Sequence, residues 1–384
     1  MGSSGRSLRE TSSVDSSLTP RYSHRHKLGP PAVPPEHGMT PSIVRFVLTA
    51  MLMLPLFAEL ASAADVVKVG TFNCEWLNRR RIYVKYGLPL KLTPQDDAIW
   101  NLREFRDTKF KEAARAVAAA IREIDADVIG LTEVGDESDV RDLRDLVKEA
   151  GLDYPFWAAA KSSDTFTNQN VAVFSKRELK HILPEIPGRE GFDLELDDPE
   201  HEDTTGISKG MSVVFTAAGR PVNFYVLHLT SELGGHEKDA QRVAQASLIR
   251  RHYLKPMLRG EHIIISGDLN DHRDQPTIRR IRGRDDIDED LVQTAGPTFH
   301  TRKADETNES WNERLRNHWT YEYAGRREQI DHVLVSPSVV EACTRDNQRR
   351  QIGINFIDLN QRFDNNSRKV SDHRAVLLTL EFQE

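Results

Sequence analysis

The chain has 384 residues, 52 Lys/Arg against 59 Asp/Glu, and a formal net charge of −7. Its 38% hydrophobic and 29% charged residues exclude a fibrous or wholly disordered protein, and two cysteines, Cys74 and Cys343, exclude a disulfide-stapled scaffold or a Cys-rich zinc module. An acidic balance argues against a basic nucleic-acid coat protein, but not against an enzyme that holds a metal through carboxylates.

Residues 1–38 are rich in Ser, Pro, Arg and His, lack any helical or strand period, and read as a disordered leader. Residues 39–64 read as a secretory signal peptide. Met39 is the expected start, Arg45 is the basic residue, Phe46 to Ala58 is the apolar core, and Ala61-Ser62-Ala63 is the cleavage site. The apolar run falls short of the roughly 20 residues a membrane span needs, and Pro55 and Glu59 count against one; the alternative is a short N-terminal anchor. The mature chain is expected to begin near Ala64 or Asp65. Cleavage removes six Lys/Arg and four Asp/Glu and takes the net charge to −9. Export would permit a Cys74–Cys343 disulfide, with two separate thiols as the alternative.

Residues 65–384 read as one domain. Val66–Cys74 alternates as a strand, and 78–107 read as a long loop or insertion. Lys109–Ile124 has apolar residues at helical spacing; Val128–Leu131 is a buried strand; Asp139–Ala150 is a second helix, stopped at Gly151. Val171–Ser175 is a short strand. Met211–Thr216 and Val222–Leu229 form a hairpin around Ala218-Gly219-Arg220-Pro221. Lys238–Leu254 is a long helix and Ile263–Ile265 a buried strand leading into Gly267. Trp319–Tyr323, Ile330–Ser336 and Ala375–Phe382 are further strands. Residues 185–210, 283–315 and 345–369 read as polar insertions or loops. Strands that alternate with helices but include hairpins predict an α/β fold with mixed sheets.

Polar residues recur beside the apolar strands: Asn73, Glu133, His228, Asp268 with Asn270, Asp331, and Asp372-His373. Acid, carboxamide and imidazole groups converging on one cleft suit a hard cation together with an acid/base. Each taken alone reads equally as a turn former, a cap or a core histidine.

The ordered set resembles the endonuclease/exonuclease/phosphatase superfamily. The matching segments are Thr71-Phe72-Asn73, Leu131-Thr132-Glu133-Val134, Asn170 to Lys176, Leu227-His228-Leu229, Gly267-Asp268-Leu269-Asn270-Asp271, Gln329-Ile330-Asp331-His332 and Ser371-Asp372-His373. The resemblance implies a four-layer α/β sandwich, with two mixed β-sheets packed face to face and helices outside. It implies Mg²⁺, with Mn²⁺ as the alternative, held by Glu133 with Asn73 and Asp372. Asp268 would orient or deprotonate the attacking water. Asn270 would bind the scissile phosphate, and His228 would donate to a phosphate oxygen. Asp331 would orient His373 and raise its proton affinity. Asn170 would lie near the phosphate, its match made ambiguous by Gln169. His332 stands where relatives often have an aromatic, and a structural role is expected for it.

Trp319 to Gly325 and Leu227 to Ser231 are similar to segments of secreted bacterial nucleases of the superfamily. Arg79-Arg80-Arg81, Arg279-Arg280 with Arg282 and Arg284, and Arg326-Arg327 are candidate phosphate contacts, with solvated surface charge as the alternative. Trp76 and Trp319 are candidates for base stacking or for the core. The expected function is a secreted or periplasmic metal-dependent phosphodiesterase, an endonuclease on DNA or RNA. It would be monomeric, with nucleic acid as substrate and no stable membrane association. The alternatives are a sphingomyelinase-like or inositol-phosphate phosphoesterase and, in another class, a non-catalytic binding protein on the same fold.

Overall fold

The structure, a computed structural model, describes residues 64–192, 203–273, 275–283, 292–293, 305–315, 318–343, 353–357 and 370–383. The leader, nearly all of the signal peptide and Arg284 lie outside these residues, as do parts of the three polar insertions. Those described all belong to one compact unit, Ala61–Glu384. No helix among them is long and apolar enough to cross a membrane.

The strands, in chain order, are β1 (Asp65–Leu77), β2 (Val128–Val134), β3 (Phe156–Ala159), β4 (Asn170–Ser175), β5 (Lys180–Leu183), β6 (Glu190–Phe192), β7 (Asp203–Thr205), β8 (Gly210–Ala217), β9 (Arg220–His228), β10 (His262–Asp268), β11 (Val292–Gln293), β12 (Tyr321–Tyr323), β13 (Arg326–Glu328), β14 (Asp331–Val335), β15 (Gly353–Ile357) and β16 (Ala375–Phe382). The helices are α1 (Ile82–Lys85), α2 (Pro94–Trp100), α3 (Arg103–Ile124), α4 (Glu137–Glu149), α5 (His236–Leu258), α6 (Pro276–Arg282), α7 (Asn308–Leu315) and α8 (Pro337–Ala342).

Sheet 1 runs β15-β16-β1-β2-β4-β3 and sheet 2 runs β11-β14-β10-β9-β8-β5. Both are mixed. The pairs β1–β2 and β9–β10 are parallel, while β16 and β14 run antiparallel to β1 and β10. Strand alternation builds the layers. Val67 and Val69 of β1, Phe224 and Val226 of β9, and Ile264 of β10 meet between the sheets. Ile129 and Leu131 turn outward under α3 and α4, whereas Tyr225, Leu227, Ile263 and Ile265 turn outward under α5 and α6. Burying one such side chain contributes about 1.5–3 kcal/mol. The sheets approach closely at Gly130, where a Cβ would stand 2.7 Å from a Val226 methyl.

Several boundaries differ from the sequence reading. Residues 78–107 hold α1 and α2, elements of four and seven residues that show no period. The helix expected from Lys109 starts at Arg103, and the one expected at Lys238–Leu254 runs from His236 to Leu258. The strand expected from Trp319 starts at Tyr321, pairs with β13 and bridges to His373 through Tyr321. The polar insertions carry β6, β7, α7 and β15. Edge strands β3 and β5 and helix α6 were not expected at all. The β8–β9 turn narrows to Ala218-Gly219, both at positive φ (42° and 72°), the hand that matches strand twist. Cys74 and Cys343 are separate buried thiols in different core clusters.

Candidate active site

The site forms at one rim of the sandwich, and alternation explains why. Val67, Val69, Thr71 and Asn73 occupy successive inward positions on β1. Val222, Phe224, Val226 and His228 do so on β9, and Ile264, Ser266 and Asp268 on β10. Each candidate is therefore the last inward side chain before the chain leaves the sheet. Asp331 instead opens β14, but β14 is antiparallel to β10, so its first residue pairs with Asp268. Asp268 also pairs with His228. The three form one row across sheet 2, facing Asn73 of sheet 1.

Glu133 breaks the alternation. Thr132 points inward, so an extended Glu133 would point out toward the helices. The β2–β4 register shifts between Thr132 and Val134, and Glu133 takes φ 58°. This bulge turns the carboxylate toward the row. A second irregularity, Glu75 and Trp76 at φ 46° and 50°, lets the Trp76 amide donate to Glu133 Oε2 at 2.8 Å. At Gly267, φ is 131° and a Cβ would stand 1.9 Å from the Leu227 carbonyl oxygen, so only glycine permits the β9–β10 approach that aligns His228 with Asp268.

Asn73 is the hub. Its Nδ2 donates to Asp268 Oδ2 (3.0 Å) and Glu133 Oε1 (3.2 Å) and lies 3.4 Å from His373 Nε2. His373 Nδ1 lies 2.7 Å from Asp331 Oδ2, and its backbone amide donates to Ser371 Oγ, which donates to the Asn73 carbonyl. His228 Nε2 stands 3.8 Å from Glu133 Oε1 and 3.9 Å from Asp268 Oδ2. Asp372 is 3.9 Å from His373 Nε2 and remains partly open to solvent. Asn270, at φ 51°, donates from Nδ2 to the Leu229 carbonyl and from its amide to Asp268 Oδ1. Asn170 opens β4 opposite Val134, the residue after Glu133, and its Oδ1 accepts from the Ser162 amide at 3.0 Å. His332 is structural as expected, buried with Nε2 on the Asp271 carbonyl at 2.8 Å.

The cluster is short of positive charge. Burial pushes the Glu133 carboxyl up, and the Asp372 charge adds to this. Burial and the Asp331 charge push up Asp268. Burial alone would depress His373, but the charge and hydrogen bond of Asp331 outweigh it and hold the ring protonated. Burial, with the Lys209 and His373 charges, keeps His228 neutral. Carboxylates crowded out of water are what a divalent cation relieves. Glu133, His228 and Asp268 offer ligand atoms within 4.8 Å of one another. The donor set therefore fits a metal ion.

Some neighbours of the cluster gave no sequence signal. Lys209 is nearly buried, donates to Gln169 Oε1 at 3.2 Å, and its charge bears on both Glu133 and His228. Only its place before β8, antiparallel to β9 and opposite His228, puts it there. The Tyr321 ring packs on the His373 ring with centroids 4.7 Å apart, and the Thr320 hydroxyl accepts the Asp331 amide. The Arg79–Arg81 cluster does not stand free for phosphate. Arg79 is bound to Asp107, Asp139 and Asp142 and lies over Phe110, and Arg81 bonds Tyr83 and the Phe166 carbonyl, leaving Arg80 exposed. Arg326 pairs with Glu328, and Arg327 with Glu322. Trp319 is buried between Arg327 and Arg374, and Trp76 is half-buried.

No curated protein matches the chain. Among solved structures, truncated Caenorhabditis elegans TDP2 is 14% identical (82% of this chain, 97% of that one, TM-score 0.47). Beta toxin from Staphylococcus aureus is 15% identical (83% and 100%, TM-score 0.48). A Bacteroides thetaiotaomicron endonuclease/exonuclease/phosphatase family protein is 14% identical (84% and 99%, TM-score 0.48). Residues 98–373, most of the chain, match the family described as "Endonuclease/Exonuclease/phosphatase family". The chain belongs to the endonuclease/exonuclease/phosphatase family.

Proposed function

We propose that the protein is a secreted or periplasmic, Mg²⁺-dependent phosphodiesterase, acting as an endonuclease on DNA or RNA. The observation that carries this reading is the convergence of Asn73, Glu133, His228, Asp268, Asp331 and His373 on one rim. A cation held by Glu133, with Asn73 and Asp372 beside it, would supply charge neutralisation for a phosphodiester. Asp268 would take the proton of a water that it aims at phosphorus, the new P–O bond forming as the bond to the leaving ester oxygen breaks. That role needs Asp268 ionised, and a cation beside Glu133 would lower the proton affinity that burial and the Asp331 charge raise. His373, kept protonated and oriented by Asp331, donates from Nε2 to a phosphate oxygen. Neutral His228 donates from Nε2 to a second oxygen, and Asn270, on the loop after Asp268, borders the phosphate.

Two features support the finer parts of the reading. A recess of about 430 Å³ on the sheet 1 flank carries Arg80, Arg103, Arg106 and Lys111 for a polyanion, while, of its acids, Asp107, Asp139 and Asp142 are bound by Arg79 and Asp136 caps α4. The first strand among the described residues begins at Asp65, beside the proposed cleavage site, and its carboxylate is bound by Arg177 and the Ala218 amide. The protein acts as a monomer without stable membrane association. The test is a substrate panel of supercoiled plasmid, RNA and sphingomyelin, each with Mg²⁺ and with chelator. Metal-dependent nicking of nucleic acid is expected; hydrolysis of the lipid alone would sink the reading. Mass spectrometry of exported protein should find an N-terminus at Ala64 or Asp65.

A further inference from the structure

A second recess, of about 460 Å³, opens on the sheet 2 side and is lined by Glu232, Asp271 and Glu328 with Arg242, Arg326 and His272. It adjoins the catalytic cluster. Glu232 lies four residues after His228, Asp271 three after Asp268, and Glu328 three before Asp331. Glu328 pairs across the β12–β13 hairpin with Tyr321, the residue packed on His373. A group attached to a phosphate held by His373 and His228 would reach this recess past Tyr321.

The charges within it are unevenly matched. Arg326 closes on Glu328 and stands 3.9 Å from Glu232, so Glu232 only shares a cation. Burial and then the Glu328 charge push the Glu232 carboxyl up to about 7. Arg242, 3% exposed, pairs with Asp239 and donates to the Thr230 carbonyl, but its Nε–H meets no acceptor. The recess thus holds an under-compensated acceptor and an unused donor.

The chemistry of the lining narrows the ligand. Asp239, the partner of Arg242, also lines it, and the four carboxylates repel a second phosphate. They do not chelate one ion either, because the metal-spaced groups among the described residues are confined to the catalytic cluster. The volume is that of a small organic group. Carboxylates accept from exocyclic amines, and guanidinium and imidazole groups donate to ring nitrogens and carbonyls. We propose that this recess is a base subsite, selecting an amino-bearing base (adenine, cytosine or guanine) on the nucleotide that flanks the scissile phosphate. Thymine and uracil present a carbonyl where cytosine presents its amine, and that carbonyl would face Glu232 unpaired.

The inference rests on the nuclease reading, and one experiment separates the two. Single-stranded oligo(dA), oligo(dC) and oligo(dT) of equal length are cleaved with Mg²⁺ by wild type and by Glu232→Ala, with circular dichroism confirming the fold. Wild type should show a kcat/KM on oligo(dA) and oligo(dC) about tenfold above that on oligo(dT), the scale of one good base contact. In Glu232→Ala the ratio should fall to near one. Equal rates in wild type, or a preference that survives in Glu232→Ala, would overturn the subsite and leave the nuclease reading standing. Failure to cleave the oligonucleotides while plasmid or RNA is cut would overturn the subsite alone, and failure on all of these nucleic acids would overturn both.

Discussion

Lys85, the last residue of α1, ties the two sides of the site together. Its ammonium, only 7% exposed, donates to the carbonyls of Cys74 and Glu75 (3.0 Å each), to Glu75 Oε2 (3.2 Å) and to the Val370 carbonyl (2.9 Å). It thereby joins the irregular end of β1, which follows Asn73, to the segment that leads into Ser371-Asp372-His373. Lys85→Met keeps the stem and removes the charge. It leaves the Glu75 carboxylate without its cation and three carbonyls without a donor. Breaking a buried pair by removing one partner costs about 3–5 kcal/mol, and the lower half of that range applies because Glu75 is not fully buried. The sign with pH is fixed. Burial pushes the Glu75 carboxyl up, Lys85 pulls it down, and Asp372 pushes it up again. Without Lys85 its folded proton affinity rises further above the unfolded value. The variant's deficit should therefore be smaller in acid, where folded Glu75 is neutral with or without Lys85 and only the three carbonyls are left unpaired, and should grow as pH rises through neutrality. Urea unfolding of Lys85→Met and of Lys85→Met/Glu75→Gln at pH 5 and pH 8 measures it. A deficit below 1 kcal/mol, or one equal at both pH values and not relieved by Glu75→Gln, would refute the clamp.

Other outcomes follow from single contacts. Gly267→Ala should abolish folding, read as loss of soluble protein, because its Cβ would fall 1.9 Å from a backbone oxygen at φ 131°. Asp65→Asn should lose about 1 kcal/mol at pH 7. The Arg177 guanidinium holds the Asp65 carboxyl below its usual range, so this stability exists above the unfolded carboxyl pKa and vanishes as pH falls through the folded one; thermal melts of the two proteins should converge near pH 3. Glu133→Ala should lose saturable Mg²⁺ binding by calorimetry while keeping its melting profile; unchanged affinity would remove Glu133 from the metal site.

Much of the site is legible in the sequence because its residues sit in short runs at strand ends. Asn73, His228 and Asp268 each continue an inward alternation that valines and isoleucines announce. What is hidden depends on departures from that period or on pairing across the sheet. Glu133 needs a bulge to face inward, and alternation alone would aim it at the helices. Lys209, Lys85 and Tyr321 reach the site through antiparallel neighbours and a loop, contacts that no local pattern carries. The same holds for the fold. Strands with buried alternation and helices with a long apolar stripe are readable. The exposed edge strand β3 and the four-residue α1 present too little pattern to be seen. Charge is a weaker guide, since Arg79, the first of a basic run in the sequence, is the centre of an ion cluster with Asp107, Asp139 and Asp142.

The central claim is that this rim is a metal-dependent phosphodiesterase centre, whatever ester is carried to it. Hydrolysis of bis(p-nitrophenyl) phosphate by wild type and Asp268→Asn, with Mg²⁺ and with EDTA, tests it without a choice of natural substrate. The account predicts turnover that EDTA abolishes and Mg²⁺ restores, and a fall of about 10²–10⁴-fold in Asp268→Asn, the contribution of a positioned acid/base group. Turnover indifferent to EDTA, or undiminished in Asp268→Asn, would contradict it.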